Sequence, residues 1–310
     1  MASRSTLVTM PSEVLVGIYQ QLPAFRDVFA LAATCHRLGA VWCDNTTSIY
    51  QAIAPSDIIF VELARQLLAD QGGTPINSAI LTPHDVRRMA RNAHKANNSA
   101  FLFGQEIAPK TPSCGLYYDP PQPSAWHPPG LSRTEQARFI RAYYRIWSLL
   151  ELGPSLWKDR IMSFTLRQLY RTAEMTQLNH PIGEEIWPDP MLGPQVSYVG
   201  ASKLRAELYE ELEISQAEAR RRIHGLAFPC IHFPTLARPR MGHGGAGGFI
   251  LIWDHFEDEV HRQVVGLLKP DNTPQPYDEY MRKVVWGDSS DEEEYRRKYR
   301  PQRRSRSQQP

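Results

Sequence analysis

MPSEVLVGIYQQLPAFRDVFALAATCHRLGAVWCDNTTSIYQAI, residues 10–53, is the stretch whose reading decides the fold. Thr9 is placed to cap a first helix that carries Pro11 in its opening turn, where a missing N–H costs nothing. Val14, Leu15, Ile18 and Leu22 then repeat at i, i+1, i+4 and i+8, one apolar stripe, and Pro23 closes the helix. Asp27 is placed to cap a second helix with Val28, Leu31, Ala32 and Cys35 at helical spacing. A third carries Leu38, Val41 and Trp42, and Ile49 and Ile53 follow the polar break at Asp44-Asn45-Thr46-Thr47. Val16, Tyr19, Phe25 and Phe29 lie off these stripes, so three short helices hold more apolar surface than they can bury among themselves. The surplus must pack on the rest of the chain or meet a partner.

The order of residues in this stretch is similar to that of the F-box. The resemblance is carried by Met10-Pro11-Ser12-Glu13-Val14-Leu15 to Ile18, by Leu22-Pro23, by Arg26-Asp27-Val28, by Leu31-Ala32-Ala33-Thr34-Cys35-His36-Arg37-Leu38, and by Trp42. It implies an F-box over residues 8–53, a short module of three helices that binds a Skp-type adaptor and so joins a cullin ubiquitin ligase. By position, Pro11, Val14, Leu15, Ile18, Leu22, Leu31, Cys35 and Trp42 are implied to face the adaptor or support the helices that do. Met10 stands where the family usually has leucine, a flexible replacement of similar volume. The run from Thr34-Cys35-His36-Arg37-Leu38 through Val41-Trp42 to Ile49-Tyr50-Gln51-Ala52-Ile53 looks like F-box proteins of filamentous fungi.

The rest of the composition is ordinary for a soluble chain: 310 residues, net charge +2 and 42% hydrophobic residues. Near-neutral charge gives no argument for wholesale nucleic-acid binding. Cys35, Cys43, Cys114 and Cys230 show no framework spacing, which suits a reducing compartment. The first ten residues lack a signal peptide's apolar run, and no segment is apolar for long enough to cross a membrane. Cytoplasm, nucleus or both is the expected location, and no membrane partner is expected.

Beyond the module the spacing predicts a mainly α chain. Residues 54–103 read as helical, with Asp57 to Ala69 one helix and Thr82-Pro83-His84-Asp85 opening another that is crowded with Arg87, Arg88, Arg91 and Lys95. Prolines make 104–130 a connector. A mostly helical body over 131–286 begins at Ser132, with Glu135 completing a capping box. Phe139, Ala142, Tyr143, Ile146, Trp147 and Leu150 form its first stripe. Ser155 is expected to open a second helix, apolar around most of its circumference from Leu156 to Tyr170 and so central to the core. Leu204 to Ile223 reads as amphipathic. Residues 287–310 pair an acidic run, Asp288 to Glu294 around Ser289 and Ser290, with an arginine-rich run, a charged tail expected to be disordered.

No constellation supports chemistry. Gly242 to Gly248 contains a formal GxGxxG, but Pro229, Pro234 and Pro239 cut the strand it would need. His243-Gly244-Gly245 has no G-x-S-x-G elbow to serve. Cys35 and His36 are adjacent, and His255 and His261 are too far apart to share one helix face. Catalytic residues, metal ligands and cofactors are therefore none. The expectation is a non-catalytic ubiquitin-ligase subunit that presents an unidentified protein substrate. Two alternatives stay open: an F-box protein that uses the adaptor outside a ligase, and a small-molecule enzyme built on the Gly-rich loop.

Overall fold

A computed structural model describes residues 7–110 and 129–164, together with 168–169, 171–172, 203–204, 206–208 and 210–211. The chain is mainly α, and no strand occurs among the described residues. The three helices expected in the N-terminal stretch are α1 (Ser12–Gln20), α2 (Phe25–Ala32) and α3 (His36–Asp44). The Ile49/Ile53 repeat belongs to a helix of its own, α4 (Thr46–Asp57). Asn45 separates α3 from α4, and the Thr46 hydroxyl donates back to the Trp42 carbonyl at 2.8 Å.

Two local expectations change. Pro11, not Thr9, stands at the cap of α1, because residues 7–9 form a separate 3₁₀ turn. Asp27 lies inside the first turn of α2, whose cap position is Ala24 and has no side-chain acceptor. The acceptor comes from far along the chain: the Phe25 N–H donates to the Asp57 carboxylate at 2.9 Å. That bond satisfies a donor at a helix start that would otherwise be buried unpaired. It also ties the end of α4 to the start of α2.

With Asp57 so used, the helix expected over Asp57–Ala69 starts later, as α5 (Val61–Asp70). Phe60 before it has φ +60°, a left-handed turn that costs a side-chain-bearing residue about 1–2 kcal/mol. The Arg141 guanidinium lies 4.2 Å over the Phe60 ring, a contact that helps hold the turn. Arg65, buried on α5, donates to the carbonyls of Pro75, Ile76 and Ser78 at 3.1, 3.0 and 2.7 Å and fixes the loop to the next helix.

That helix, α6 (Pro83–Leu102), opens at Thr82 as expected, and Asp85 supplies a return bond that completes a capping box. It runs into a π-turn over Phe103–Ile107. There the Gly104 carbonyl accepts from the Gly130 N–H at 2.7 Å, so the two ends of the Pro-rich segment meet. Glycine suits position 104, since a Cβ there would lie a tight 3.1 Å from the Leu131 nitrogen.

α7 (Arg133–Leu152) also begins with its expected box, Ser132 and Glu135. Its stripe is core: Phe139, Tyr143 and Trp147 are buried, and their rings follow one another at 6.0 and 5.9 Å. α7 packs on α5 and α6, and one apolar cluster runs unbroken from Leu15 to Trp147.

α8 departs from expectation. It spans Pro154–Met162, starts at Pro154 after Gly153 (φ +75°) and not at Ser155, and buries only Trp157 and Ile161. Leu156 is half-exposed, so α7 and not α8 is the central helix. Helical backbone recurs between 203 and 211, where Leu204 and Leu208 are buried one turn apart. The Gly-rich run at 242–248 and the charged tail lie outside the described residues.

Candidate functional site

The N-terminal module is built around Trp42, fully buried and edge-on to Phe29 at 5.9 Å. Phe25 stacks on both Phe29 and Tyr50 at 6.0 Å. The Tyr19 hydroxyl donates to the Leu38 carbonyl at 3.0 Å, and Arg37 donates to the Met10 carbonyl at 2.5 Å, so α1 lies against the start of α3. Burial, then the nearby Cys35 and Cys43 thiols, push the Tyr19 pKa up to about 12. Tyr19 therefore stays a neutral donor throughout the physiological range.

Around this frame the eight residues picked out in the sequence separate into three groups. Leu15 (1% exposed) and Trp42 are interior and can act only by holding the helices in place. Pro11 and Val14 (47% exposed) face solvent. Ile18, Leu22, Leu31 and Cys35 are half-buried, each resting on the core with part of its surface open. Pro11, Val14 and Ile18 occupy i, i+3 and i+7, one side of α1. Cys35 lies at the cap of α3, two residues from the arginine that grips Met10. The open residues are thus apolar side chains of α1, of the end of α2 and of the start of α3. A periodic sequence cannot distinguish Val14 from Leu15, because both belong to the same stripe.

The module is in contact with α6 and the loop before it. The Leu81 N–H donates to the Thr47 hydroxyl at 3.1 Å, the Tyr50 hydroxyl reaches the Met89 sulfur at 3.9 Å, and the Arg87 guanidinium lies 5.7 Å over the Phe29 ring. These contacts cover the side of the module that faces α6. The surplus of apolar surface noted in the sequence is therefore shared: Phe25, Tyr50 and Ile53 meet the chain itself, while Pro11 and Val14 do not.

Sequence reasoning missed two positions that set this geometry, Asp57 and Arg37. Each acts on backbone more than twenty-five residues away, and no local pattern announces such a bond. Among the described residues no group of three His, Cys, Asp or Glu side chains is placed to hold a metal ion. No described helix is long and apolar enough to cross a membrane.

Compared with known proteins, the chain matches no family model, no curated protein and no solved structure. The resemblance of residues 10–42 to the F-box rests on those residues themselves.

Proposed function

We propose that the chain is a substrate-recruiting F-box subunit. Its first three helices dock on a Skp-type adaptor of a cullin ubiquitin ligase, and the helices behind them carry the target. The chain does no bond-making of its own. It raises the concentration of a target's lysines near the charged conjugating enzyme, and the gain is one of proximity.

The observation that carries this reading is the pairing of an F-box-like residue order with open apolar side chains at Pro11, Val14, Ile18, Leu31 and Cys35. Side chains that could have been turned inward are left at the surface of a well-packed module, as a docking surface requires. The contacts with α6 support the same reading, because a carrier packed against its docking helices presents a target in a defined place.

The test uses the full chain and a purified Skp-type adaptor. Val14→Asp combined with Ile18→Asp places two charges on the docking side of α1 without touching Leu15. Capture of the adaptor is expected to disappear while the circular dichroism spectrum stays that of the parent. Retained capture by a folded double variant would remove this side of α1 from the interface. Co-purification of the cullin with the wild-type complex separates a ligase role from use of the adaptor alone.

A further inference from the structure

The solvent side of α6 carries no carboxylate. His84, Arg87, Arg91, His94, Asn98 and Phe101 are all exposed and follow one another at steps of 3, 4, 3, 4 and 3 residues, a single face of the helix. Arg88 and Lys95 flank that row, half-buried. The helix has one carboxylate, Asp85, which is buried and engaged by Thr74 and Thr82. None of the six basic residues has a carboxylate within ion-pairing distance among the described residues.

Three of the six are nevertheless held. Arg87 lies over the Phe29 ring at 5.7 Å, Lys95 over the Trp147 ring at 5.8 Å, and Arg88 donates to the Gln71 carbonyl at 3.0 Å. Rings and a backbone carbonyl restrict these side chains without neutralising them. An incoming anion meets uncompensated charge whose ordering cost is already partly met. The row ends at Phe101, 62% exposed, an apolar contact at the far end of the cationic face.

We infer that this face of α6 is where the chain holds its target, and that the target presents an acidic peptide segment. The inference rests on the recruiting role proposed above. From His84 to Phe101 the helix rises about 25 Å, the span of roughly seven or eight extended peptide residues. Aspartate and glutamate side chains meet the arginines, and an aliphatic side chain meets Phe101. Nucleic acid fits less well. Only Arg87 and Arg91 are fully open cations here, and the chain as a whole carries just +2, too little to compete with counterions along a phosphate backbone.

The probe is a fluorescein-labelled peptide of mixed Asp and Glu with one terminal Leu, about eight residues long, titrated with the full chain and read by anisotropy. Binding is expected at low salt and should weaken as salt rises. Arg87→Glu with Arg91→Glu should weaken it roughly tenfold or more, while Arg87→Lys with Arg91→Lys should stay within about threefold of the parent. If the double reversal melts early, Arg91→Glu alone serves, since no described contact depends on that side chain. No binding at low salt, or binding indifferent to charge reversal, would overturn the inference. So would tighter, reversal-sensitive binding of an oligonucleotide of equal charge, which would change the ligand class. The adaptor result is independent: Val14→Asp/Ile18→Asp should bind the peptide normally, and Arg87→Glu/Arg91→Glu should still capture the adaptor. Loss of adaptor binding in the parent with peptide binding intact would reject the ligase role and leave the surface standing.

Discussion

Replacing Arg160 with Met should loosen α8 from the rest of the fold. The Asp70 carboxylate at the end of α5 is almost wholly buried, its side chain 5% exposed, and accepts from both terminal nitrogens of Arg160 at 3.1 Å. Ser148 of α7 donates to the same carboxylate and accepts from Arg160 at 3.1 Å, while Gln66 donates to its other oxygen at 3.0 Å. One node thus joins α5, α7 and α8. Stranding a fully buried charge costs about 3–5 kcal/mol. Here Arg160 is 25% exposed, and two neutral donors stay with Asp70, so the loss should be nearer to about 2–3 kcal/mol. For a chain of this size that is a fall of roughly 3–5 °C in melting temperature. The assay is a double-mutant cycle by urea unfolding, with Arg160→Met, Asp70→Leu and the pair together, following amide exchange in residues 154–162. A coupling of about 1–3 kcal/mol is expected, the double variant being less destabilised than the sum of the singles. Strict additivity, with protection over 154–162 unchanged in Arg160→Met, would refute the role assigned to this pair.

Burial and hydrogen bonding set three further outcomes. Leu15→Ala should destabilise by about 2–5 kcal/mol in a denaturant titration, whereas Val14→Ala one position earlier should change stability by less than about 0.5 kcal/mol. Asp57→Ala removes the remote acceptor for the Phe25 N–H and should cost about 1–2 kcal/mol, with Asp57→Asn milder because an amide oxygen can still accept. Burial raises the Asp85 pKa, but hydrogen bonds from the Thr74 and Thr82 side chains and backbone outweigh it and leave the group below its ordinary 3.8. Because the folded pKa is the lower one, the stabilisation is fully present above the unfolded value and is lost as pH falls through the folded value. Urea midpoints should therefore drop with pH below about 4, and Asp85→Asn should flatten that part of the slope.

Legibility from sequence tracked the distance over which each residue acts. The helix start at Thr82 and the box at Ser132/Glu135 involve residues at most three apart, and both form as their spacing predicts; Asp85 turns the Thr82 cap into a box as well. The aromatic stripe of α7 is legible because every member contributes to one helical face. The extent of α8 is not: Leu156, Phe164 and Leu169 look alike in sequence whether or not a neighbour covers them, and the helix ends at Met162. The start of α5 is hidden because Asp57 is drawn to the Phe25 N–H and Phe60 turns left-handed, neither of which has a local signal. In the N-terminal module, the periodic stripe shows that Val14 and Leu15 belong together but not that one faces out and the other in. That division needs α3 and α4 in place.

The same division supplies the most direct test of the docking reading. Adaptor affinity, measured by calorimetry with the purified full chain, should be lost in the folded Val14→Asp/Ile18→Asp variant. In Leu15→Ala it should fall only as far as the fraction of folded chain falls. An affinity for the adaptor that is absent in the wild-type chain, or that tracks Leu15 while ignoring Val14 and Ile18, would contradict it.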